Sequence, residues 1–449
     1  MPTTAADRIT RLLHEHPLID GHNDLPWAAR ELAAYDLDVL DLTTRVATTC
    51  TDLPRLRAGG LGGQFWSVFV PGTLPDDEAV AATLEQIAFV QAMTSRYAAH
   101  LTLARTADEV ERAHAQGRVA SLMGAEGGQS IGCSLDTLRQ LAGLGVGYLT
   151  LTHNQHVPWA DSATEPPRLG GLSAFGREVV RECNRLGVLV DLSHVSPGTM
   201  RDALATTAAP AIFSHSSAFA QTAHVRNVPD DVLGLLPGNG GVCMVTFVPE
   251  FVNDSVRQWT DAAGEDASAE GVDRLDYAAF TAYLKERVRH DPKPDATIDD
   301  VVRHIEHVRE VAGIDHVGLG GDFDGTDTYP VGLADVAGYP ALLAALADRG
   351  WSDGELRALT GGNVLRVMRA GEDVARQAQR ERGPSQATFD DLDRLSLTLL
   401  SFPPARRRPA PPPGPPLLPT TPSARRSAFK GVITPPIALR AALRVSRGR

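Results

Sequence analysis

Eight short apolar segments spaced along the chain constrain its fold more than any other feature. They are Pro17–His22, Gln64–Val70, Arg118–Ala125, Gly147–Thr152, Gly187–Ser193, Pro210–Ser214, Gly241–Phe247 and His316–Gly321. Helical patterns lie between most of them, as over Asp76–His100, Ser134–Leu144, Leu172–Leu186, Ser196–Thr206 and Thr297–Ala312. Strands that alternate with helices predict parallel βαβ units. Eight such units predict a closed, TIM-type (β/α)8 barrel. The alternative is an open doubly wound sheet, but no GxGxxG opens a helix after the first strand. The stretch 248–312 is long for a connection and carries helical patterns over Asp276–Arg289 and from Thr297. It predicts an inserted helical segment after the seventh strand that walls one end of the barrel. Patterns at Gly338–Asp348 and Asp353–Arg369 close the fold.

With 449 residues, 43% of them hydrophobic, the chain can bury a large core, and residues 1–400 read as one barrel domain. The last 49 residues differ: twelve are proline, ten are Lys or Arg, and none is acidic. A segment of that composition builds no core, so 401–449 is expected to be a disordered or extended basic tail. The first 400 residues are therefore ten units more acidic than the formal −12 of the whole chain. That charge disfavours nucleic acid as a partner of the folded body and suits an enzyme that holds cations. Cys50, Cys133, Cys183 and Cys243 lack CxxC spacing and read as reduced residues, mostly buried. Met1–His16 is charged and amphipathic without an apolar signal core, and no apolar run is long enough to span a bilayer. The expectation is a cytoplasmic enzyme with no membrane partner.

Barrel active sites lie at the C-terminal ends of the strands. His22 and Asp24 follow the first apolar segment, and period-two alternation would put both side chains on one side. Glu126 follows the third segment, His153 the fourth, His194 the fifth, His215 the sixth and Asp322 the eighth. His194 and His215 sit in matching Ser-His contexts. Glu126 lies among small residues that let metals approach closely, the other reading being a helix N-terminal carboxylate. His153 could equally be an outer donor, and Asp324 beside Gly325 reads as an Asx-turn residue.

Three imidazoles and two carboxylates suit a pair of borderline metals, zinc first. A carboxylate has two oxygens and can bridge two ions. Two ions about 3.5–4 Å apart can hold a hydroxide and lower its pKa from ~15.7 toward ~7. A serine-hydrolase reading has little support beside this set of ligands.

These residues stand in the motifs Ile19-Asp20-Gly21-His22-Asn23-Asp24-Leu25-Pro26-Trp27, Glu126-Gly127-Gly128, Leu151-Thr152-His153-Asn154 and Asp191-Leu192-Ser193-His194-Val195-Ser196. Further on stand Phe213-Ser214-His215-Ser216-Ser217-Ala218, Arg226-Asn227-Val228-Pro229-Asp230-Asp231, Gly321-Asp322-Phe323-Asp324-Gly325 and Gly361-Gly362-Asn363-Val364. Over these motifs the chain resembles the renal (membrane) dipeptidases, peptidase family M19 of the binuclear amidohydrolase superfamily. The resemblance implies two Zn2+ per subunit. His22 and Asp24 would bind the first, His194 and His215 the second, and Glu126 would bridge them. It also implies that His153 polarises the scissile carbonyl and that Arg226 pairs with the substrate's terminal carboxylate. Asp322 would move the proton from the bridging water to the leaving amine. For Arg226 the other reading is a surface pair with Asp230 or Asp231.

The implied activity is hydrolysis of dipeptides by a metal-bridging hydroxide, with tolerance of a D-residue at the C-terminal position. Removal of an N-acyl group or opening of a lactam is the alternative. No Lys stands at a strand end, so the carboxylated-lysine subtype of the superfamily is excluded. The resemblance favours a homodimer, and the missing signal and anchor patterns point to a bacterial-type soluble relative. The basic tail has no counterpart in the family pattern. Truncation after residue 400 should leave dipeptide turnover unchanged; a fall in kcat/KM would give the tail a part in the reaction.

Overall fold

The computed structural model describes residues 5–274 and 277–394, so the 401–449 tail lies outside the described residues. Nine strands are present among these residues. They are β1 (Leu18–Asn23), β2 (Leu61–Phe69), β3 (Leu101–Leu103), β4 (Val119–Glu126), β5 (Val146–Thr150), β6 (Leu189–Asp191), β7 (Ile212–Phe213), β8 (Val242–Val245) and β9 (Val317–Leu319). Every pairing between them is parallel, and β1 pairs with both β2 and β9. A pairing of β2 with β4 closes an eight-stranded barrel. The (β/α)8 barrel read from the sequence is therefore the fold.

The ninth strand, β3, was missed because it is no continuous buried run: of Leu101–Leu103 only Leu101 is buried. β3 pairs with Val119–Ser121 of β4, while β5 pairs with Met123–Glu126. With β2 along the other edge of β4, β3 fills the lower part of the edge that β5 takes higher up. It adds to the sheet without entering the barrel wall.

Burial explains why the strands read as near-continuous apolar runs. All residues of β1, β4 and β8 are buried, as expected where helices cover one face and the barrel interior the other. Ile19, Phe65, Leu122, Tyr148, Leu189, Ile212, Val242 and Met244 belong to one buried cluster. Tyr148 takes its place only because residue 124 is glycine: a Cβ there would stand 1.9 Å from the phenol ring.

At the base, the sequence pattern over Asp353–Arg369 suggested one helix. The chain instead forms a short helix, Asp353–Arg357, a π turn, Ala358–Gly362, and a longer helix, Asn363–Glu381. The turn brings Gly361 against Pro17, where a Cβ would lie 2.3 Å from the Pro17 carbonyl oxygen. Asn363 then donates to the carbonyls of Ile314 and Val317. A π turn at a close backbone approach is where such a bulge is found.

The expected insertion follows β8, the seventh strand of the barrel wall. It contains helices Pro249–Val252, Asp254–Ala269 and Tyr277–Arg287 before Ile298–Ala312. His304 fastens that last helix to the rim. Its Nδ1 accepts the Ala218 N–H at 3.0 Å, and its Nε2–H points to the Val252 carbonyl at 3.2 Å. The four cysteines are free thiols. No helix among the described residues is long and apolar enough to cross a membrane.

Burial pushes the pKa of His304 down to about 3, from an ordinary 6.5. Between those values the unfolded chain binds a proton that the folded one refuses. The stability it confers is whole above about pH 6.5 and is lost as pH falls through the window, on the order of 1 kcal/mol per pH unit. Denaturant midpoints between pH 7 and 4 should therefore fall more steeply for the parent than for His304→Asn. Equal slopes would exclude His304 as a source of acid lability.

Candidate metal centre

Strand register builds the rim. Phe69 pairs with Glu126, Glu126 with Thr150, Thr150 with Asp191, and Asp191 with Ile212. These positions stand level around half the barrel mouth. His153, His194 and His215 leave the same edge within three residues of them.

His22 arrives by a different route from simple alternation. The β1–β2 register shifts between Asp20 and Asn23, so Gly21 and His22 together oppose Phe65. Such a bulge re-aims side chains. Gly21 faces inward, where a Cβ would lie 2.4 Å from the Ser214 carbonyl oxygen. His22 also turns inward, its Nδ1 2.8 Å from the Tyr148 hydroxyl. Asp24 lies beyond the strand and precedes the helix Leu25–Ala33. The pair does share one side, as read from the sequence, but a bulge and a helix start bring this about.

Glu126 is the hub. Its Oε2 lies 3.2 Å from His22 Nε2 and accepts the Ser67 hydroxyl at 2.8 Å. Its Oε1 lies 3.0 Å from His194 Nε2 and 3.5 Å from His215 Nε2. Asp24 Oδ2 stands 3.3 Å from His22 Nε2. The two carboxylate oxygens thus serve two separate ligand groups. His153 Nε2 is 4.0 Å from Oε1, and its ring packs between Phe69 and His194.

The nitrogens are arranged for a cation. The Tyr148 hydroxyl donates to the Gly21 carbonyl, so it accepts from His22 Nδ1–H. The Ser214 hydroxyl donates to Asp191, so it accepts from His215 Nδ1–H. Asn154 Oδ1 accepts from His194 Nδ1–H. With Nδ1 carrying the proton and burial keeping both rings neutral, the Nε2 atoms of His194 and His215 present lone pairs. The Nε2 atoms of His194 and His215 face each other at 2.9 Å. His22 Nε2 is buried and hydrogen-bonded to nothing. Lone pairs packed against carboxylates in a dry pocket repel unless a cation lies between them. His22–Glu126–His215 and Glu126–His153–His194 each bring potential ligand atoms within 4.8 Å of one another, as does His22–Asp24–Asp322. The residues fit a pair of divalent ions.

Charge around the centre moves several protons. Burial drives Glu126 upward, but His22 and the other imidazoles outweigh it and hold the carboxyl well below its usual range. Burial lowers His22, yet Tyr148, Glu126 and Asp24 outweigh that and raise it well above 6.5. His194 and His215 are pushed well below 6.5 by burial, with Arg226 adding to the effect on both. Burial takes His153 down to about 4, which keeps it neutral. Burial raises Asp322 to about 8, with Asp24 and Glu126 adding to the rise against His22 and Arg226.

Two site residues hold left-handed backbone, His194 at φ 69° and Asp322 at φ 59°. Such conformations cost roughly 1–3 kcal/mol in a non-glycine residue and cluster at functional sites. Next to Asp322, Gly325 backs so closely on the site that a Cβ would lie 2.3 Å from Asp322 Oδ1 and 2.5 Å from Asp24 Oδ2. Asp324, read from sequence as an Asx-turn residue, accepts the N–H of the distant Cys50 and ties two loops together.

Arg226 is 3% exposed and lies over the Phe251 ring. Among the described residues its guanidinium makes only long hydrogen bonds, to Ser216 Oγ and the His215 carbonyl, both at 3.4 Å. The surface-pair reading fails: Asp231 pairs with Arg201 and Asp230 with His307. Sequence reasoning missed Ser67, Tyr148, Asn154, Asp191 and Ser214. The shared Ser-His context of His194 and His215 was the one available signal, and of these residues it pointed to Ser214 alone.

A family model described as Membrane dipeptidase (Peptidase family M19) matches residues 6–382. A probable dipeptidase, PvdM, from Pseudomonas aeruginosa is similar in fold, with TM-score 0.73 and 23% identity over 84% of this chain and 100% of that one. A metallo peptidase from Rhodobacter sphaeroides, solved with a phosphinate mimic of the dipeptide L-Ala-D-Ala, has TM-score 0.65 and 26% identity over 80% and 99%. A structure described as dipeptidase AC, a metallo peptidase of family M19, has TM-score 0.65 and 28% identity over the same shares. If Glu126 serves both ion positions, Glu126→Gln should weaken both by an order of magnitude or more. Metal content after dialysis reads this directly; a variant that still holds two ions would exclude the bridging role.

Proposed function

The chain belongs to the membrane dipeptidase family, peptidase family M19, and is a metallo-dipeptidase; from that premise we propose that it cleaves dipeptides, including L-Xaa-D-Xaa, with two zinc ions held by His22, Asp24, Glu126, His194 and His215. The observation that carries this reading is the division of Glu126's oxygens, Oε2 toward His22 and Oε1 toward His194 and His215. Two ions bound there would supply Lewis-acid polarisation of the scissile carbonyl and a hydroxide nucleophile at neutral pH.

The chain's own residues supply the remaining chemistry. Arg226 is a buried guanidinium with no carboxylate in ion-pair contact among the described residues, beside the ligand strand ends. A planar fork of this kind takes a carboxylate in bidentate fashion. It reads the substrate's C-terminal carboxylate and so limits the enzyme to short peptides. Phe251 beneath it supports the cation. His153, kept neutral and close to Glu126, donates a hydrogen bond to the oxygen that gains charge at the scissile carbonyl. Asp322 is the half-buried carboxylate of the set, Asp24 and Glu126 being buried. Its carboxyl takes a proton on the attack side and hands it to the leaving amine. The inclusion of substrates with a C-terminal D-residue draws on the L-Ala-D-Ala mimic bound by the Rhodobacter sphaeroides relative.

The purified protein, with and without chelator and added zinc, should release free amino acids from a panel of L-Xaa-L-Xaa and L-Xaa-D-Xaa dipeptides only when zinc is present. No release from any member, with two zinc ions bound, would shift the reading to N-acyl or lactam substrates. Arg226→Ala should lower kcat/KM for dipeptides by about 100-fold or more, the scale of a lost buried charge contact. Its zinc content should stay at the parental level, and its preference for dipeptides over their C-terminal amides should vanish. Parental kinetics in this variant would remove Arg226 from the substrate site.

A further inference from the structure

Asp191 ends β6 and is fully buried. Its Oδ2 accepts the hydroxyls of Thr150 at 2.6 Å and Ser214 at 2.7 Å. Its Oδ1 accepts the backbone N–H groups of Ser193 at 3.1 Å and Ser214 at 2.8 Å. Four donors satisfy both oxygens, so the carboxylate has no lone pair directed at a metal. Its neighbours lead elsewhere. Ser214 passes the contact on to His215 Nδ1 at 2.8 Å. Ser193, anchored through its N–H, accepts the His215 N–H at 3.0 Å and immediately precedes His194, the residue held at φ 69°. One carboxylate thereby reaches the tautomer of His215 and the backbone turn of His194. It makes no hydrogen bond to His22 or Asp24, whose own support is the Tyr148 hydroxyl on His22 Nδ1.

We propose that Asp191 is a positioning residue for one half of the metal centre, setting His215 through Ser214 and His194 through the Ser193 turn, while Tyr148 does the same for the other half. The inference rests on the two-ion reading above. Partners behind a ligand imidazole fix its tautomer and orientation and raise its basicity, and losing one weakens metal binding about 10–100-fold. The proposal lies in the division: two independent supports, each serving a different ion.

The test is competition for zinc between the metal-free protein and a chromophoric chelator, with thermal melting of the metal-free forms recorded alongside. The parent should take up two ions. Asp191→Asn and Ser214→Ala should each weaken one of the two about 10–100-fold and leave the other at parental affinity. Ser214→Ala removes a single oxygen, so it carries the test if Asp191→Asn fails to fold. Combining Asp191→Asn with Ser214→Ala should add little, because both cut the same chain of contacts. Combining Ser214→Ala with Tyr148→Phe should weaken both ions.

Parental affinity for both ions in Ser214→Ala would overturn the proposal. So would equal weakening of both ions by Ser214→Ala alone, which is what a merely structural strut would give. A parent that takes up fewer than two ions would overturn the two-ion reading first, and this proposal with it.

Discussion

A single buried carboxylate among imidazoles, Glu126, is the interaction on which the rest of the centre depends. Removing a carboxylate from water is costly unless charge and hydrogen bonds replace the solvent. Glu126 has one hydroxyl, from Ser67, and otherwise faces ring nitrogens. It can sit there because β4 is held along both edges, by β2 on one side and by β3 and β5 on the other. A loop could not hold a group so poorly solvated. The wall of the barrel also bears the left-handed backbone at His194 and Asp322, conformations that a softer scaffold would relax.

The frame separates two tasks. The histidines proposed to hold cations stand at strand ends and have their outer nitrogens occupied by protein groups: Tyr148, Asn154 and Ser214. Groups suited to a substrate are tied less tightly. Arg226 has long contacts only, and Asp322 and His153 are half-buried. Stiffness where a metal must be gripped and spare hydrogen-bonding capacity where a peptide must enter are what the proposed reaction requires.

Most of the barrel was legible because strands covered on both faces are written as apolar runs, and their order with helices leaves few topologies. The convergence of the proposed site residues was legible for a related reason: a polar residue directly after such a run has nowhere to go but the rim. What escaped depended on tertiary contact. β3 is three residues long and exists through its pairing with β4. The β1 bulge is visible only as a register shift against β2, so alternation alone misplaced the cause of the His22–Asp24 pairing. The π turn at Ala358–Gly362 answers to Pro17, more than 340 positions away in the chain. Arg226 and Asp230–Asp231 are adjacent in sequence but end in different surroundings, which spacing cannot reveal. Asp191 and Tyr148 looked like ordinary strand residues because their importance lies in what stands on the neighbouring strands.

The bulge in β1 has a consequence for how such a chain can change over time. A strand without it would present Gly21 and His22 to opposite faces, and the imidazole would point into the helical layer. Loss of Gly21 would restore plain alternation only by putting His22 in the inward place where a Cβ would lie 2.4 Å from the Ser214 carbonyl oxygen, so the ligand would be displaced without altering any ligand residue. Substitutions elsewhere in β1 alter the fit gradually, whereas a single-residue deletion here is all-or-none. Length in this six-residue stretch is as much part of the active centre as the identity of its histidine, and strands exchanged between related barrels would have to carry the extra residue with them.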